Sequence, residues 1–295
     1  MSKFKLYLGI QKEGKWYNYS EIHPIKGSSL SIYDTGDKTG AARFLKLIKG
    51  SMDTVYTESG ESYDLRDEDY LNIYSEDAWK IGYEAIKVRT GNPYPIIPEN
   101  FFCNVCSRAN EERYTPVNES WQKLIDDGLI DEYYAEGPEC EFKVELPNSI
   151  IVDPSRTIIG GEFKEIIMKP ITLRQMMEIH KNPVAINTEA NMVFATWDMM
   201  ITKVPGLSEK DLNILKRTPE SFFTKKYVID DDNFNAILKA IAENSYGVDA
   251  SDRKVYCRYC GNSVFRNNEG KEIGSLDHTN FFSPLLPKTY SRKGA

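Results

Sequence analysis

Short alternating runs open the chain. Phe4-Lys5-Leu6-Tyr7-Leu8 and then Trp16-Tyr17 place apolar residues at close, strand-like spacing and predict strands within 1–33. Asp34 to Gly40, with its two glycines, predicts a turn, and Ala41 to Met52 a helix with Phe44, Leu45, Leu47 and Ile48 on its apolar side. Residues 65–90 predict a short helix and then a longer one, whose inner face carries Trp79, Tyr83 and Ile86. The section 107–140 is acidic and helical around Trp121. Residues 141–170 return to strand patterning: Phe142-Lys-Val-Glu-Leu, Ile150-Ile-Val and Ile166-Ile-Met, with a hairpin at Gly160-Gly161 between the last two. From Thr172 the spacing is helical again. It covers Met176, Met177 and Ile179, then Val193 to Ile201, a short helix capped by Ser208, and a last long helix from Phe234 to Ala242.

This order has an internal echo. Leu65-Arg-Asp-Glu-Asp69 matches Leu207-Ser-Glu-Lys-Asp211, and Trp79, Tyr83, Ala85 and Ile86 match Phe234, Leu238, Ala240 and Ile241. Each long helix runs on to a glycine and then to a C-x-x-C pair. The change of offset between the two matches implies an insertion, placed at Pro219 to Tyr227. The pattern predicts a duplicated unit of helix, short helix, long helix and C-x-x-C.

Composition narrows the classes. The 295 residues carry 37 basic and 44 acidic side chains, a net charge of −7, which argues against general nucleic-acid binding. The apolar share of 41% and charged share of 27% are those of a globular chain. No apolar run reaches the ~18–20 residues of a membrane helix, and the N-terminal segment lacks the pattern of a signal peptide. Acids dominate 61–84 and 111–142, and such runs are read first as solvated faces.

Four of the five cysteines form two pairs, Cys103–Cys106 and Cys257–Cys260; the fifth is Cys140. An odd count without a signal peptide argues against a secreted disulfide framework. Val-Tyr-Cys257-Arg-Tyr-Cys260-Gly-Asn reads as a strand entering a tight turn, the form of a zinc knuckle that aims two thiolates at one ion. Four thiolates complete a tetrahedral structural zinc site. The pairs lie far apart in sequence, so a shared site needs distant segments to meet, and pseudo-twofold packing of duplicated units would bring them together. Two alternatives stay open: separate half-sites completed by Cys140 or His278, and small buried thiols with no metal. A closed four-thiolate site is a staple, because it leaves no open coordination position.

Other candidates have plainer readings. Thr35-Gly-Asp-Lys-Thr-Gly40 lacks the spacing of a phosphate loop and reads as a surface turn. His23, His180 and His278 fall in no metal-ligating pattern. Asp230-Asp231-Asp232 precedes a helix and reads as its cap. A metal hydrolase would need these acids to converge with His278. Met176, Met177, Met192, Met199 and Met200 read as core filler. The chain closes on an aromatic, proline-broken and then basic segment. Its Phe281, Phe282, Leu285, Leu286 and Tyr290 suit an arm laid on a neighbour.

The stretch from Phe142 to Phe282 carries a further pattern. Val-Glu-Leu-Pro is followed by Lys-Pro-Ile-Thr-Leu-Arg-Gln-Met-Met, a long helix, Pro-Gly-Leu-Ser-Glu-Lys-Asp-Leu and Asp-Asn-Phe-Asn-Ala-Ile-Leu. Ser-Tyr-Gly-Val, Cys-Arg-Tyr-Cys-Gly and Asn-Phe-Phe close it. This resembles the baseplate hub assembly proteins of T-even-like contractile-tailed bacteriophages, and is similar in order to phage tail assembly chaperones. The resemblance covers about half the chain and leaves unmatched the N-terminal third and the first C-x-x-C with its long acidic sequel, which the duplication would account for. It implies a virion tail or baseplate component, or a factor that assembles one in the host cytoplasm, with other tail proteins as partners. It also implies that the C-x-x-C turns are structural metal-binding elements.

The expectation is an α+β, non-enzymatic protein in which two related helical units flank strand-rich segments, stapled by zinc at Cys103, Cys106, Cys257 and Cys260. Its parts are an N-terminal α/β unit (1–106), an acidic and strand-rich middle (107–170), a C-terminal helical unit (171–282) and an arm (283–295). It needs no small-molecule substrate and no membrane. The competing expectation is a zinc-containing nucleic-acid module, for which Arg253, Lys254 and Arg258 beside the second pair would supply the basic surface.

Overall fold

A computed structural model describes residues 3–24, 40–94, 101–102, 109–110, 121–128, 131–152, 160–216 and 222–249. The protein is α+β. Its first half begins with a hairpin of β1 (Phe4–Lys12) and β2 (Lys15–Ser20). Glu13 and Gly14 both take positive φ, 50° and 75°, the two-residue turn whose twist suits antiparallel strands. Helix α1 (Gly40–Ser51) returns the chain to β3 (Thr54–Tyr56), which pairs with β2, and β4 (Ser62–Asp64) completes a sheet ordered β1-β2-β3-β4. The short α2 (Asp67–Tyr70) and long α3 (Ser75–Thr90) follow, the latter stopped by Gly91 in the left-handed conformation.

The connecting region contributes the two-residue strands β5 (Phe101–Phe102) and β6 (Ala109–Asn110), paired antiparallel, then α4 (Trp121–Asp126) and β7 (Asp131–Tyr133). The second half opens with a hairpin of β8 (Phe142–Val152) and β9 (Gly161–Met168). Helices α5 (Leu173–Lys181) and α6 (Glu189–Met200) lead to β10 (Ile201–Lys203), giving a sheet ordered β10-β9-β8. The short α7 (Glu209–Lys216), a π-turn at Thr224–Val228 and the long α8 (Asp231–Glu243) come next. Last is β11 (Gly247–Asp249), which pairs with β7.

Local chemistry explains the helix starts. Thr172 and Gln175 form a reciprocal capping box on α5. Ser208 Oγ accepts from the Asp211 N–H at 3.1 Å, as expected for α7, and Asp230 accepts from Asn233 N at 2.9 Å, as expected for the triple-aspartate segment. The β8–β9 hairpin, read in sequence with the middle segment, shares its sheet with β10 and packs against α8.

The two halves follow one plan. Each has a hairpin, helical chain leading to a third strand beside the hairpin, a short helix and a long helix. The first half adds β4, and the second uses two helices, α5 and α6, where the first uses α1, with the π-turn before α8. The hairpins share an irregularity. Between the pairs Lys5↔Tyr19 and Ile10↔Tyr17, β1 advances five residues while β2 advances two. Between Glu145↔Glu165 and Ile150↔Phe163, β8 and β9 do the same. A bulge of this size leaves backbone groups on an edge strand without ladder partners. In both halves the third residue of the long helix supplies one. Asp77 of α3 accepts from the N–H groups of Leu8 at 3.0 Å and Gly9 at 2.8 Å. Asn233 of α8 accepts from Asn148 N–H and donates to Asn148 C=O, both at 3.0 Å. Superposing the two caps, Asp77 on Asn233, shifts α3 against α8 by one residue from the register of the sequence match, which set Trp79 on Phe234.

Each half has a large apolar cluster. Leu6, Phe44, Leu47, Ile48, Ile81 and Ile86 centre the first, and Ile150, Ile166, Met168, Phe223 and Ile237 the second. The halves touch where Tyr74 bridges to Thr172, with Leu173 N–H donating to Ile73 C=O at 2.8 Å and Ser75 N–H to Ile171 C=O at 2.9 Å. Leu173, fully buried, packs into the first cluster.

The bulge gives a direct prediction. Gly9 has φ +74°, and a Cβ there would lie 2.7 Å from both Trp16 Nε1 and Tyr17 O. Gly14 has φ +75° and open space around it. Gly9→Ala is expected to cost about 3 kcal/mol and Gly14→Ala about 1 kcal/mol, read as shifts in urea unfolding midpoints.

Candidate functional site

Helix α3 is buried nearly all round, with Asp77, Ala78, Lys80, Ile81, Gly82, Tyr83, Ala85 and Ile86 inside. The sequence expectation of one inner face at Trp79, Tyr83 and Ile86 is therefore too narrow. The acid-rich run 61–84 is likewise not a uniformly solvated face, since Asp69 and Asp77 have no exposed surface. Asp69 belongs to local structure: it pairs with Lys12 and accepts from Arg66 N–H at 2.8 Å and Tyr63 OH at 3.0 Å. Asp77 holds the β1 bulge. Burial pushes its carboxyl up to about 6, against the two backbone N–H groups that favour the charge.

One turn on, Lys80 reaches a polar cluster where β1 meets β7. Its ammonium pairs with Glu132, which also accepts from Tyr7 OH at 2.6 Å and from Tyr134 OH at 2.7 Å. Lys80 lies over the rings of Tyr7 and Tyr134, 5.1 and 5.7 Å from their centroids. Burial works against ionisation of Glu132, yet Lys80 and the two hydroxyls hold its carboxyl below the usual range. Burial first, and Glu132 second, raise the Tyr7 hydroxyl above its ordinary value. The cluster ties the connecting strand β7 to the first half, and β7 carries β11 from the end of the second.

Beside it lies a partly open cavity of about 190 Å³ between α3, α4 and the β7–β11 pair. Tyr7, Trp79, Tyr83 and Tyr246 contribute aromatic surface to its wall, with Ile125 and Val248. Tyr83 OH accepts from Gln122 N–H at 3.2 Å, which seats α4 on α3. Glu76, half-buried, also lines the cavity. One carboxylate oxygen accepts from Ser75 Oγ at 2.9 Å. Burial pushes the Glu76 carboxyl up to about 7, with neighbouring Asp77 adding to the rise. Glu76 forms no ion pair with a described cation, so this wall carries an acid poised between its neutral and charged forms near neutral pH.

The residues singled out in sequence are mostly elsewhere. Cys103, Cys106, Cys257 and Cys260, His278, and Phe281, Phe282, Leu285, Leu286 and Tyr290 lie outside the described residues. So do positions 35–39 of the glycine-containing turn and Arg253, Lys254 and Arg258. Strands β5 and β6 flank the sequence that holds Cys103 and Cys106. Among the described residues no group of three or more His, Cys, Asp or Glu side chains could hold a metal ion. Cys140 is buried beside Leu8 and Ala135, its Sγ 3.2 Å from Tyr74 OH, and burial raises its thiol. Of the methionines, Met200 is buried and Met176 and Met199 pack on core clusters, while Met192 is exposed. No helix among the described residues is long and apolar enough to cross a membrane.

Sequence reasoning missed the Lys80–Glu132 cluster and the Glu76 cavity. The available signal was charge on a buried stripe: Asp77 and Lys80 flank Ala78 and Ile81 in a helix with apolar residues on every side. No family model, no curated protein and no solved structure matches the chain.

Proposed function

We propose that this chain is a non-enzymatic assembly protein built from two related units, acting by protein–protein binding as a structural component or assembly factor of a contractile phage tail baseplate. The observation that carries the two-unit part is the repeated hairpin bulge, capped in each half by the third residue of the long helix. That coincidence involves register, bulge size and cap position together, which an amphipathic pattern alone does not produce. The baseplate part rests on the resemblance of residues 142–282.

In this reading the C-x-x-C pairs follow the two long helices as equivalent elements and share one structural zinc through Cys103, Cys106, Cys257 and Cys260. Thiolate ligands suit zinc and would staple the end of one unit to the other. Two measurements test the reading separately. Purified protein is expected to hold one zinc per chain, and Cys103→Ser with Cys257→Ser to lose it together with several degrees of thermal stability. Zinc-free protein, or zinc retained by the double variant, removes the staple. For the baseplate role, a phage lacking this gene is expected to yield heads and tail parts without complete baseplates in electron micrographs. Normal virions from the deletion would overturn that role and leave the zinc result standing.

A further inference from the structure

We propose that the cavity between α3, α4 and the β7–β11 pair is a recognition pocket for a lysine side chain of a partner protein. The inference stands on the cavity itself and not on the baseplate reading.

Three observations lead there. First, the space is right: about 190 Å³ holds a butyl stem with its ammonium, and the cavity is partly open. Second, its wall combines a carboxylate with aromatic side chains. Trp79, Tyr83 and Tyr246 stand on the wall with Glu76, and aromatic rings around a carboxylate are the surroundings that favour an organic cation. The neighbouring cluster already shows the principle at work, since Lys80 is held by Glu132 and lies over two tyrosine rings.

Third, charge is left over. The ionisable groups facing this region are Glu76, Asp77 and Lys80 of α3, Glu132 of β7, and the phenols of Tyr7, Tyr83 and Tyr246. Lys80 is matched by Glu132, and Asp77 by two backbone N–H groups. Glu76 has the Ser75 hydroxyl and its own backbone N–H, neutral partners that supply no full positive charge, and unlike Asp77 it lines the cavity. Burial makes its ionised form costly, so an arriving ammonium would both recover that cost and neutralise the site.

The same geometry selects among cations. A guanidinium binds carboxylate best through two parallel bonds. With one Glu76 oxygen engaged by Ser75 Oγ, a single point charge on a flexible stem fits better than a planar fork.

The test titrates the full-length protein at pH 7.5 with n-butylammonium, the lysine side-chain analogue, and with neutral n-butanol, by calorimetry or NMR. Butylammonium is expected to bind in the millimolar range and at least ten-fold more tightly than butanol. Glu76→Gln should bring the two ligands within about two-fold of each other while leaving butanol binding unchanged. Tyr246→Leu should weaken butylammonium several-fold and Tyr246→Phe should not, because the ring face and not the hydroxyl does the work. Equal binding of the two ligands by wild type, or full ammonium preference in Glu76→Gln, overturns the pocket. A chain ending at residue 282 addresses the source. Unchanged affinity supports a partner's lysine, whereas tighter binding by ten-fold or more would mean that the chain's own basic terminal segment competes for the pocket, and would overturn the partner assignment.

Discussion

Asp77→Ala and Asn233→Ala are each expected to lower the stability of the protein by about 3 kcal/mol. Asp77→Ala strips the Leu8 and Gly9 N–H groups of their acceptor in a place water does not reach. Relief of the buried carboxylate returns part of that loss. Asn233→Ala is costlier per atom removed, because one amide serves Asn148 N–H, Asn148 C=O and, at 2.7 Å, Val228 C=O. Each orphaned backbone group carries roughly 1–3 kcal/mol. Asp77→Asn is expected to fall between wild type and Asp77→Ala. Its oxygen can keep one N–H, but its amide nitrogen then faces the other, a donor against a donor.

The pair of variants also tests how the halves fold. Their cores are distinct clusters, so the two losses should add to within about 0.5 kcal/mol in the double variant. Yet the halves share the Tyr74–Thr172 bridge, the burial of Leu173 in the first core and the β7–β11 pair. Urea unfolding followed by far-ultraviolet circular dichroism and by tryptophan fluorescence should therefore show one coincident transition in wild type and in each single variant. Two separated transitions, with Asp77→Ala moving one and Asn233→Ala the other, would show that the halves unfold independently.

Much of this architecture is legible in the chain. The helices α1 to α8 and the hairpin strands follow from the spacing of their apolar residues, helped at α7 and α8 by recognisable caps, Ser208 and Asp230. The segments Leu65–Asp69 and Leu207–Asp211, matched in sequence, each lead into a short helix that precedes the long one, α2 before α3 and α7 before α8. What was hidden is what needs a distant partner to make sense. Strand β7 is acidic and short, and nothing local distinguishes Asp131-Glu-Tyr133 from a loop; it becomes a strand because β11 arrives beside it. The bulges are invisible for a similar reason. Leu6-Tyr7-Leu8 reads as regular alternation, and only the five-against-two advance shows where the ladder breaks. Lys80 and Glu132 are ordinary surface residue types, and their burial depends on two tyrosine hydroxyls contributed from β1 and the segment after β7. The cavity is hidden in the same way, since its walls come from four separated stretches of chain.

Glu76→Gln is expected to stabilise the protein at pH 8 by about 1–2 kcal/mol and to leave it almost unchanged at pH 4. In the unfolded chain this carboxyl titrates near its ordinary 4.5, whereas in the fold burial raises it to about 7. Below 4.5 both states hold the proton, and glutamate behaves as its neutral isostere does. Between 4.5 and 7 the unfolded chain gives up its proton while the folded chain keeps it, so the unfolded state gains steadily with pH. Above 7 both are ionised and the folded state carries the full cost, about 3 kcal/mol at most for that interval, less whatever solvent reaching the half-buried side chain returns. Glutamine avoids that cost and can still accept from Ser75 Oγ. Asp77, raised to about 6, acts in the same direction in both proteins. Asp69, Glu132 and Asp230 are held below their usual ranges and act oppositely, supporting the fold above the ordinary carboxylate range and losing that support as pH falls through their lowered values. Asp198, also raised by burial, acts with Asp77, so wild type should be most stable in weak acid, and Glu76→Gln should move the optimum upward. Urea midpoints at pH 4, 5.5, 7 and 8 resolve the profile. A gain that is the same at pH 4 and pH 8 would mean that Glu76 ionises freely in the fold, and the charge left over in the cavity would vanish with it.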